Sequence, residues 1–298
     1  MRILVTGATG YIGRSIATAL SGDGHDVLGL TRDPTGSRAT ALQRVGVSPV
    51  AGDVADVASY EGLLPHVDAV VHTVVDADDP VGADQRLFAA VRQADTDDRR
   101  SRHVVYTTGC STYGSGVHTV LTETTPVDPE NRRARLEVEL ADTGLAHTII
   151  RPAFVHGADA RSSIVGRWFG DAADGRAVHH GEPGKLWSWV HVDDVGAAYA
   201  AVLREPAAHD GQVYLLADDQ AAPALTVLTA AARTAGYEGP VAFAPIADEL
   251  PTYRGFDHDE VIDSTKARSR LGWIPTKPGV LDDMPTSFTE WRRASAAR

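Results

Sequence analysis

The first thirteen residues constrain this chain more than any other stretch. The apolar run Ile3-Leu4-Val5 leads into Thr6-Gly7-Ala8-Thr9-Gly10-Tyr11-Ile12-Gly13, and a helical pattern then continues through Leu20. The glycines fall at positions 7, 10 and 13. Gly7 permits a tight turn out of a strand, Gly10 lets the backbone approach a pyrophosphate, and Gly13 lets the new helix pack against the strand. That helix presents unpaired N–H groups and a positive dipole end to the phosphates. Glycines in a strand–turn–helix context predict dinucleotide binding, with Gly7, Thr9, Gly10, Tyr11, Ile12 and Gly13 around the cofactor.

Apolar runs at 2–6, 26–30, 47–50, 68–74, 103–107 and 146–150 alternate with helical segments. Alternation of this kind predicts βαβ units and an α/β fold built on a doubly wound parallel sheet of the Rossmann type. A length of 298 residues is about right for two domains. The net charge of −12 argues against nucleic acid and anionic membrane surfaces as partners. No apolar run approaches the roughly 20 residues needed to span a bilayer. The early apolar residues end in the glycine turn rather than in a leader cleavage site. The one cysteine, Cys110, excludes an intrachain disulfide and a cysteine metal cluster. These features lead us to expect a cytoplasmic enzyme, monomeric or homodimeric, acting on a small molecule.

The second strand ends in Leu30-Thr31-Arg32-Asp33. An acid at this place accepts hydrogen bonds from an adenosine ribose and favours NAD, whereas an arginine pairs with a 2′-phosphate and favours NADP. Arg32, with Arg38 close behind, leads us to expect NADPH/NADP; in the alternative, Arg32 is solvated and Asp33 takes the ribose. Asp53 and Val54 follow the third strand, where they either meet the adenine or cap a turn. His72 and Thr73 end the fourth strand, and Thr73 should line the path between the cofactor's two halves.

Further along come Thr107-Thr108-Gly109-Cys110-Ser111-Thr112-Tyr113-Gly114, Arg151-Pro152-Ala153-Phe154-Val155-His156-Gly157, Val190-His191-Val192-Asp193-Asp194 and Leu271-Gly272-Trp273-Ile274-Pro275. With the opening glycine pattern, these segments resemble the extended, epimerase/dehydratase-like branch of the short-chain dehydrogenase/reductases over nearly the whole chain. The resemblance implies a Rossmann domain over 1–157, rejoined by 189–216, and a smaller C-terminal substrate domain formed by 158–188 and 217–298. It also implies that Pro152 lies beside the cofactor.

Members of that family catalyse with Tyr-x-x-x-Lys on a helix and a Ser or Thr after the fifth strand. Here Asn131 takes the tyrosine's place, Arg135 the lysine's, and Gly109 the Ser/Thr position. There is no tyrosine between Tyr113 and Tyr199, no lysine before Lys185 and no Tyr-x-x-x-Lys anywhere. An amide has no useful acid near neutrality, and arginine stays protonated. The usual proton donor is therefore absent. Arg135 either holds the ribose or is a helix-surface charge. The remaining candidates for the chemistry are Thr108, Ser111, Tyr113 and His156, whose imidazole has the right unperturbed pKa. His191 reads as ordering a helix start beside Asp193 and Asp194, and His179-His180 lacks further ligands at metal-binding spacing.

Three readings remain: a NADPH-dependent ketoreductase whose substrate helps supply the proton, a non-catalytic NADP-sensing protein, and a redox-neutral isomerase or lyase. The chain is also similar to angucyclinone-type tailoring ketoreductases of aromatic-polyketide antibiotic pathways. That similarity implies a polyketide substrate in which a phenol beside the ketone assists proton delivery.

Overall fold

The computed structural model describes residues 1–114, 120–160, 162–246 and 256–296. The six expected strands all form: β1 (Arg2–Thr6), β2 (Asp26–Thr31), β3 (Ser48–Ala51), β4 (Ala69–His72), β5 (His103–Thr107) and β6 (His147–Pro152). They build one sheet in the order β3-β2-β1-β4-β5-β6, extended beyond β6 by β10 (Gln212–Leu216). The pairings β1–β2, β2–β3, β1–β4, β4–β5 and β5–β6 are all parallel. Strands β4, β5 and β6 are buried at every position, as both faces of a doubly wound sheet require. The sheet is therefore the expected Rossmann-like one.

Helices α1 (Tyr11–Gly22), α2 (Ser37–Gln43), α3 (Gly82–Asp98) and α4 (Arg132–Asp142) connect the strands. In α1 the buried residues are Gly13, Ile16, Ala17 and Leu20, the i, i+3, i+4, i+7 stripe of a helix lying on a sheet. In α4 they are Ala134, Leu136, Glu137 and Leu140, which brings a carboxylate inside with the aliphatic residues.

The chain divides into two compact units. The first comprises Met1–Thr108, Asp128–Arg151 and Val195–Tyr214; the second comprises Gly109–Val127, Pro152–Asp194 and Leu215–Arg298. This differs from the sequence-based division at 109–127, 152–157, 189–194 and 215–216. The reason at 152–157 and 189–194 is pairing. β7 (Phe154–His156) and β9 (Leu186–His191) are parallel neighbours, with His156 opposite His191, and β11 (Ala221–Pro223) pairs antiparallel on the other side of β9. The chain returns to the first unit only within α6 (Val192–Arg204).

The core of the second unit lies among α5 (Ile164–Ala173), α7 (Ala224–Thr234), α9 (Met284–Ala296) and this small sheet. Its core is aromatic: Trp168, Phe169, Trp187 and Trp189 are buried there, with Phe154, Phe256, Phe288 and Trp291 packed against them. The remaining described strands are the β8–β12 pair (Val178–His180 with Ala242–Ala244), and the remaining described α-helix is the short α8 (Thr265–Leu271). No helix among the described residues is long and apolar enough to cross a membrane.

Candidate active site

The first unit carries the glycine turn where the strand order reverses, between β1 and β4, which is where open α/β sheets bind ligands. Gly7 has a φ of +70°, a conformation that suits glycine, and its carbonyl accepts from Gly10 N at 2.8 Å. A Cβ on Gly13 would lie 2.2 Å from the Gly7 oxygen and 2.8 Å from Thr73 Oγ1; one on Gly10 would lie 3.0 Å from the same oxygen. Helix α1 has Gly10 at its N-cap, no side-chain cap and no acid in its first turn. A helix start of this kind suits an external anion. Thr9, Tyr11 and Ile12 are half-buried at the same place. These residues fit a dinucleotide pyrophosphate.

Arg32 and Arg38 are exposed after β2 and make no ion pair among the described residues. Asp33 is exposed beside them, and its Oδ1 accepts from Thr35 N at 3.3 Å and Thr35 Oγ1 at 3.2 Å. Asp53 takes part in a turn too, accepting from Ala55 N at 3.1 Å, and Val54 beside it is buried.

Asn131 is the N-cap of α4, and its side chain accepts from Arg133 N at 2.9 Å and Ala134 N at 3.3 Å. Arg135 is exposed on the outer side of that helix. The basic residue that turns inward is Arg133. Its guanidinium donates to the Thr107 carbonyl at the end of β5 and lies over the Tyr106 ring, 5.7 Å from the centroid. Its Nε is buried with no partner. Arg133, not Arg135, thus reaches the carboxyl end of the sheet, because helical phase faces 133, 134 and 137 inward and 135 outward. Four residues before Arg133 stands Pro129, so the missing tyrosine is missing in this register too.

One turn beyond Arg133, Glu137 forms a buried ion pair with Arg151; Arg151 Nε donates to Glu137 Oε1 at 3.0 Å. Thr108 Oγ1 donates to the same oxygen at 2.5 Å. The Thr108 proton is therefore committed to a carboxylate.

In the second unit, Pro152 ends β6 and Ala153 N donates to the Leu216 carbonyl at 2.9 Å. Ser111 is half-buried in a short 3₁₀ turn, Cys110–Tyr113. Tyr113 is buried, and its phenol donates to the Thr122 carbonyl at 2.8 Å, so it anchors a loop rather than presenting a proton to a ligand. His156 is fully buried, with neither ring nitrogen hydrogen-bonded, and Nδ1 is 3.7 Å from Asp283 Oδ2. His191 accepts from Asp193 N at 3.1 Å, the helix-start role expected of it. Burial pushes its imidazole below the ordinary value, and the His156 ring adds to this. His179 bonds the Glu182 carbonyl, and no metal-holding group of His, Cys, Asp or Glu exists among the described residues.

Two further features of this unit lie in its interior. Phe154 stacks on Trp187 with centroids 4.0 Å apart, and Trp168 lies parallel to Trp187 on a 6.4 Å spacing. Glu260 is buried, its Oε2 has no partner, and burial pushes its carboxyl up to about 8.

Sequence reasoning passed over Arg133, Glu137 and Arg151. The signal for Glu137 was present as a charge on the apolar stripe of α4, next to Leu136 and one turn before Leu140.

The sequence profile of the "NAD dependent epimerase/dehydratase family" matches residues 3–217. A 3-diazoavenalumate denitrifying reductase from Streptomyces is 32% identical, over 95% of this chain and 99% of that protein. Among solved structures, UDP-glucose-4-epimerase from Stenotrophomonas maltophila with bound NAD superposes with a TM-score of 0.80 at 22% identity, covering all of both chains. A dTDP-glucose 4,6-dehydratase from Streptomyces venezuelae with NAD bound gives 0.79 at 22% identity, covering 100% of this chain and 98% of that one. At that identity these structures are similar in fold.

Proposed function

The chain belongs to the NAD dependent epimerase/dehydratase family, and we propose that it is a NADP(H)-dependent reductase that reduces an aromatic small molecule without a tyrosine acid of its own. The observation that carries the reading is an intact glycine cradle beside a helix whose inward basic residue is Arg133, with Pro129 four residues earlier. Bound NADPH supplies the hydride. Gly7, Thr9, Gly10, Tyr11, Ile12 and Gly13 surround the pyrophosphate. Arg32 and Arg38, both exposed after β2, take the 2′-phosphate. Asp53 and Val54 face the adenine, and Thr73 lines the path between the cofactor's two halves. Arg133 stands in for the lysine as a fixed cation; a guanidinium orients by its donors and does not give up a proton.

The second unit holds the substrate. We infer a ketone on an angucyclinone-like aromatic polyketide. Hydride adds to the carbonyl carbon, a phenol next to it passes its proton to the oxygen, and water restores the phenol. A substrate that brings its own acid removes the need for the tyrosine.

The Streptomyces relative favours a second reading by its name. On an aryl diazonium, hydride replaces the diazo group at the ring carbon and dinitrogen leaves with the bonding pair. That reaction consumes no proton, so it too suits a site without an acid.

NADPH absorbance, followed with three substrates, tests these readings. An aromatic ketone with an adjacent phenol should be turned over, and the same ketone without the phenol should lose about 10²–10⁴-fold in rate. NADPH oxidation with stoichiometric dinitrogen release from an aryl diazonium would favour the second reading. Tight NADPH binding with no oxidation by any of them would reject a reductase and leave the sensing or redox-neutral readings.

A further inference from the structure

Beneath the glycine turn of the first unit runs a buried chain of polar side chains that neither reading above employs. Thr6, His72, Asp84 and Tyr106 are 1% exposed or less. Thr6 Oγ1 is 2.7 Å from His72 Nδ1, and His72 Nε2 is 2.9 Å from Asp84 Oδ1. The Tyr106 phenol donates to Asp84 Oδ2. The His72 and Tyr106 rings are parallel, with centroids 5.7 Å apart. Thr6 ends β1, His72 ends β4, Tyr106 is the penultimate residue of β5, and Asp84 lies in the first turn of α3. One hydrogen-bond chain thus crosses three strands at their carboxyl ends.

The donor and acceptor roles close without a gap. Asp84 as a carboxylate accepts from Tyr106 O–H and from His72 Nε2–H. A neutral His72 then accepts at Nδ1, so the Thr6 hydroxyl donates to it. Burial pushes the Tyr106 phenol well above its ordinary value, which keeps that proton in place. Such a network, satisfied at every member, is rigid and costly to break.

Each end touches the dinucleotide cradle. At one end, Thr73 N donates to Thr6 Oγ1 at 3.3 Å and Thr73 Oγ1 donates to the Thr6 carbonyl at 2.8 Å. Thr73 Oγ1 is in turn wedged against the turn, where a Cβ on Gly7 would lie 2.7 Å from it and one on Gly13 2.8 Å. At the other end, Arg133 lies over the Tyr106 ring. We propose that His72 and Asp84 are positioning residues of the dinucleotide site: their pair holds the glycine turn through Thr6 and Thr73, and holds the platform of Arg133 through Tyr106, so that the two are kept in one spatial relation. The proposal rests on the reading that this unit binds a nicotinamide dinucleotide.

The test measures NADPH affinity by calorimetry, stability by thermal unfolding, and the His72 imidazole by ¹⁵N NMR, in wild type, Asp84→Asn and Tyr106→Phe. Asn in place of Asp84 keeps the volume but cannot accept from both neighbours. We expect folded Asp84→Asn to bind NADPH about ten- to a hundredfold more weakly, the loss typical when the outer partner of a ligand-holding group is removed. Tyr106→Phe keeps the ring under Arg133 and should lose less, and it carries the test if Asp84→Asn does not fold. In wild type, His72 should show the Nε2–H tautomer that its contacts with Asp84 and Thr6 require, and its signals should move on saturation with NADPH. A structural role alone would lower the unfolding temperature, leave affinity within about twofold and leave the His72 signals unmoved by NADPH; that result overturns the proposal. Wild-type protein that bound neither NADPH nor NADH would instead overturn the dinucleotide reading, and this proposal with it.

Discussion

Replacing Glu260 by Gln should stabilise the protein, and should do so only where the carboxylate would ionise. Glu260 sits where its backbone N–H donates to the Leu186 carbonyl and its own carbonyl accepts from Ser188 N, both at 2.8 Å. Its side chain is thereby held in the interior with Oε2 unpartnered. Burial alone raises its carboxyl from 4.5 to about 8. A raised folded-state value means that the folded protein keeps a proton which the unfolded chain releases. The stability tied to that proton is fully present below pH 4.5 and is lost as pH rises through 8. At 1.36 kcal/mol per unit, the loss is about 3 kcal/mol at pH 7 and about 5 kcal/mol above pH 9. Glutamine has the same shape and no charge to lose, so its stability should be flat over this range. Urea unfolding followed by tryptophan fluorescence is the suitable assay, because all five tryptophans, at 168, 187, 189, 273 and 291, belong to the second unit. The introduced amide keeps an unpaired donor, so the variant should be no better than wild type near pH 4.5 and should gain progressively above it. A stability difference between Glu260→Gln and wild type that stays constant from about pH 5 to about pH 9, a range over which a shift of this size must appear, would refute the argument.

Glu137→Ala should cost about 3–5 kcal/mol in urea unfolding, because it leaves Arg151 buried without its counter-charge. Gly13→Ala should abolish NADPH binding in a titration and lower the unfolding temperature, since its Cβ meets the Gly7 carbonyl at 2.2 Å; Gly10→Ala, at 3.0 Å, should be milder in stability. Arg32→Ala should weaken NADPH binding by about 1.5–3 kcal/mol and leave NADH nearly unchanged, the signature of a lost charge-assisted contact. Equal weakening of both would assign Arg32 to solvent.

Much of the first unit is legible in the chain itself, since its determinants are local. Strands β1 to β6 lie within one or two residues of the apolar runs. The glycine turn needs only a strand before it, a helix after it and three residues without side chains. The absence of Tyr-x-x-x-Lys is likewise a property of the string, and it holds whichever register α4 adopts. Asn131 shows the limit of such reading. As an isolated letter it occupies a catalytic place; in the helix it is a cap, because a side-chain oxygen one residue before α4 meets the free N–H groups of Arg133 and Ala134.

What the fold alone decides is which polar groups still have a proton or a charge to offer. Whether Arg133 or Arg135 faces the sheet depends on the rotation of α4, set by Leu136 and Leu140 in the core and by Glu137 reaching Arg151 fourteen residues on. Tyr113 reads as a replacement acid in the sequence, whereas in the fold its phenol donates to the Thr122 carbonyl. The Thr6–His72–Asp84–Tyr106 chain joins residues up to a hundred positions apart, and no spacing rule announces it. Sequence carries local geometry, because turns and helix starts depend on neighbouring residues. Protonation and partnership belong to the tertiary structure, because burial and long-range contact determine them.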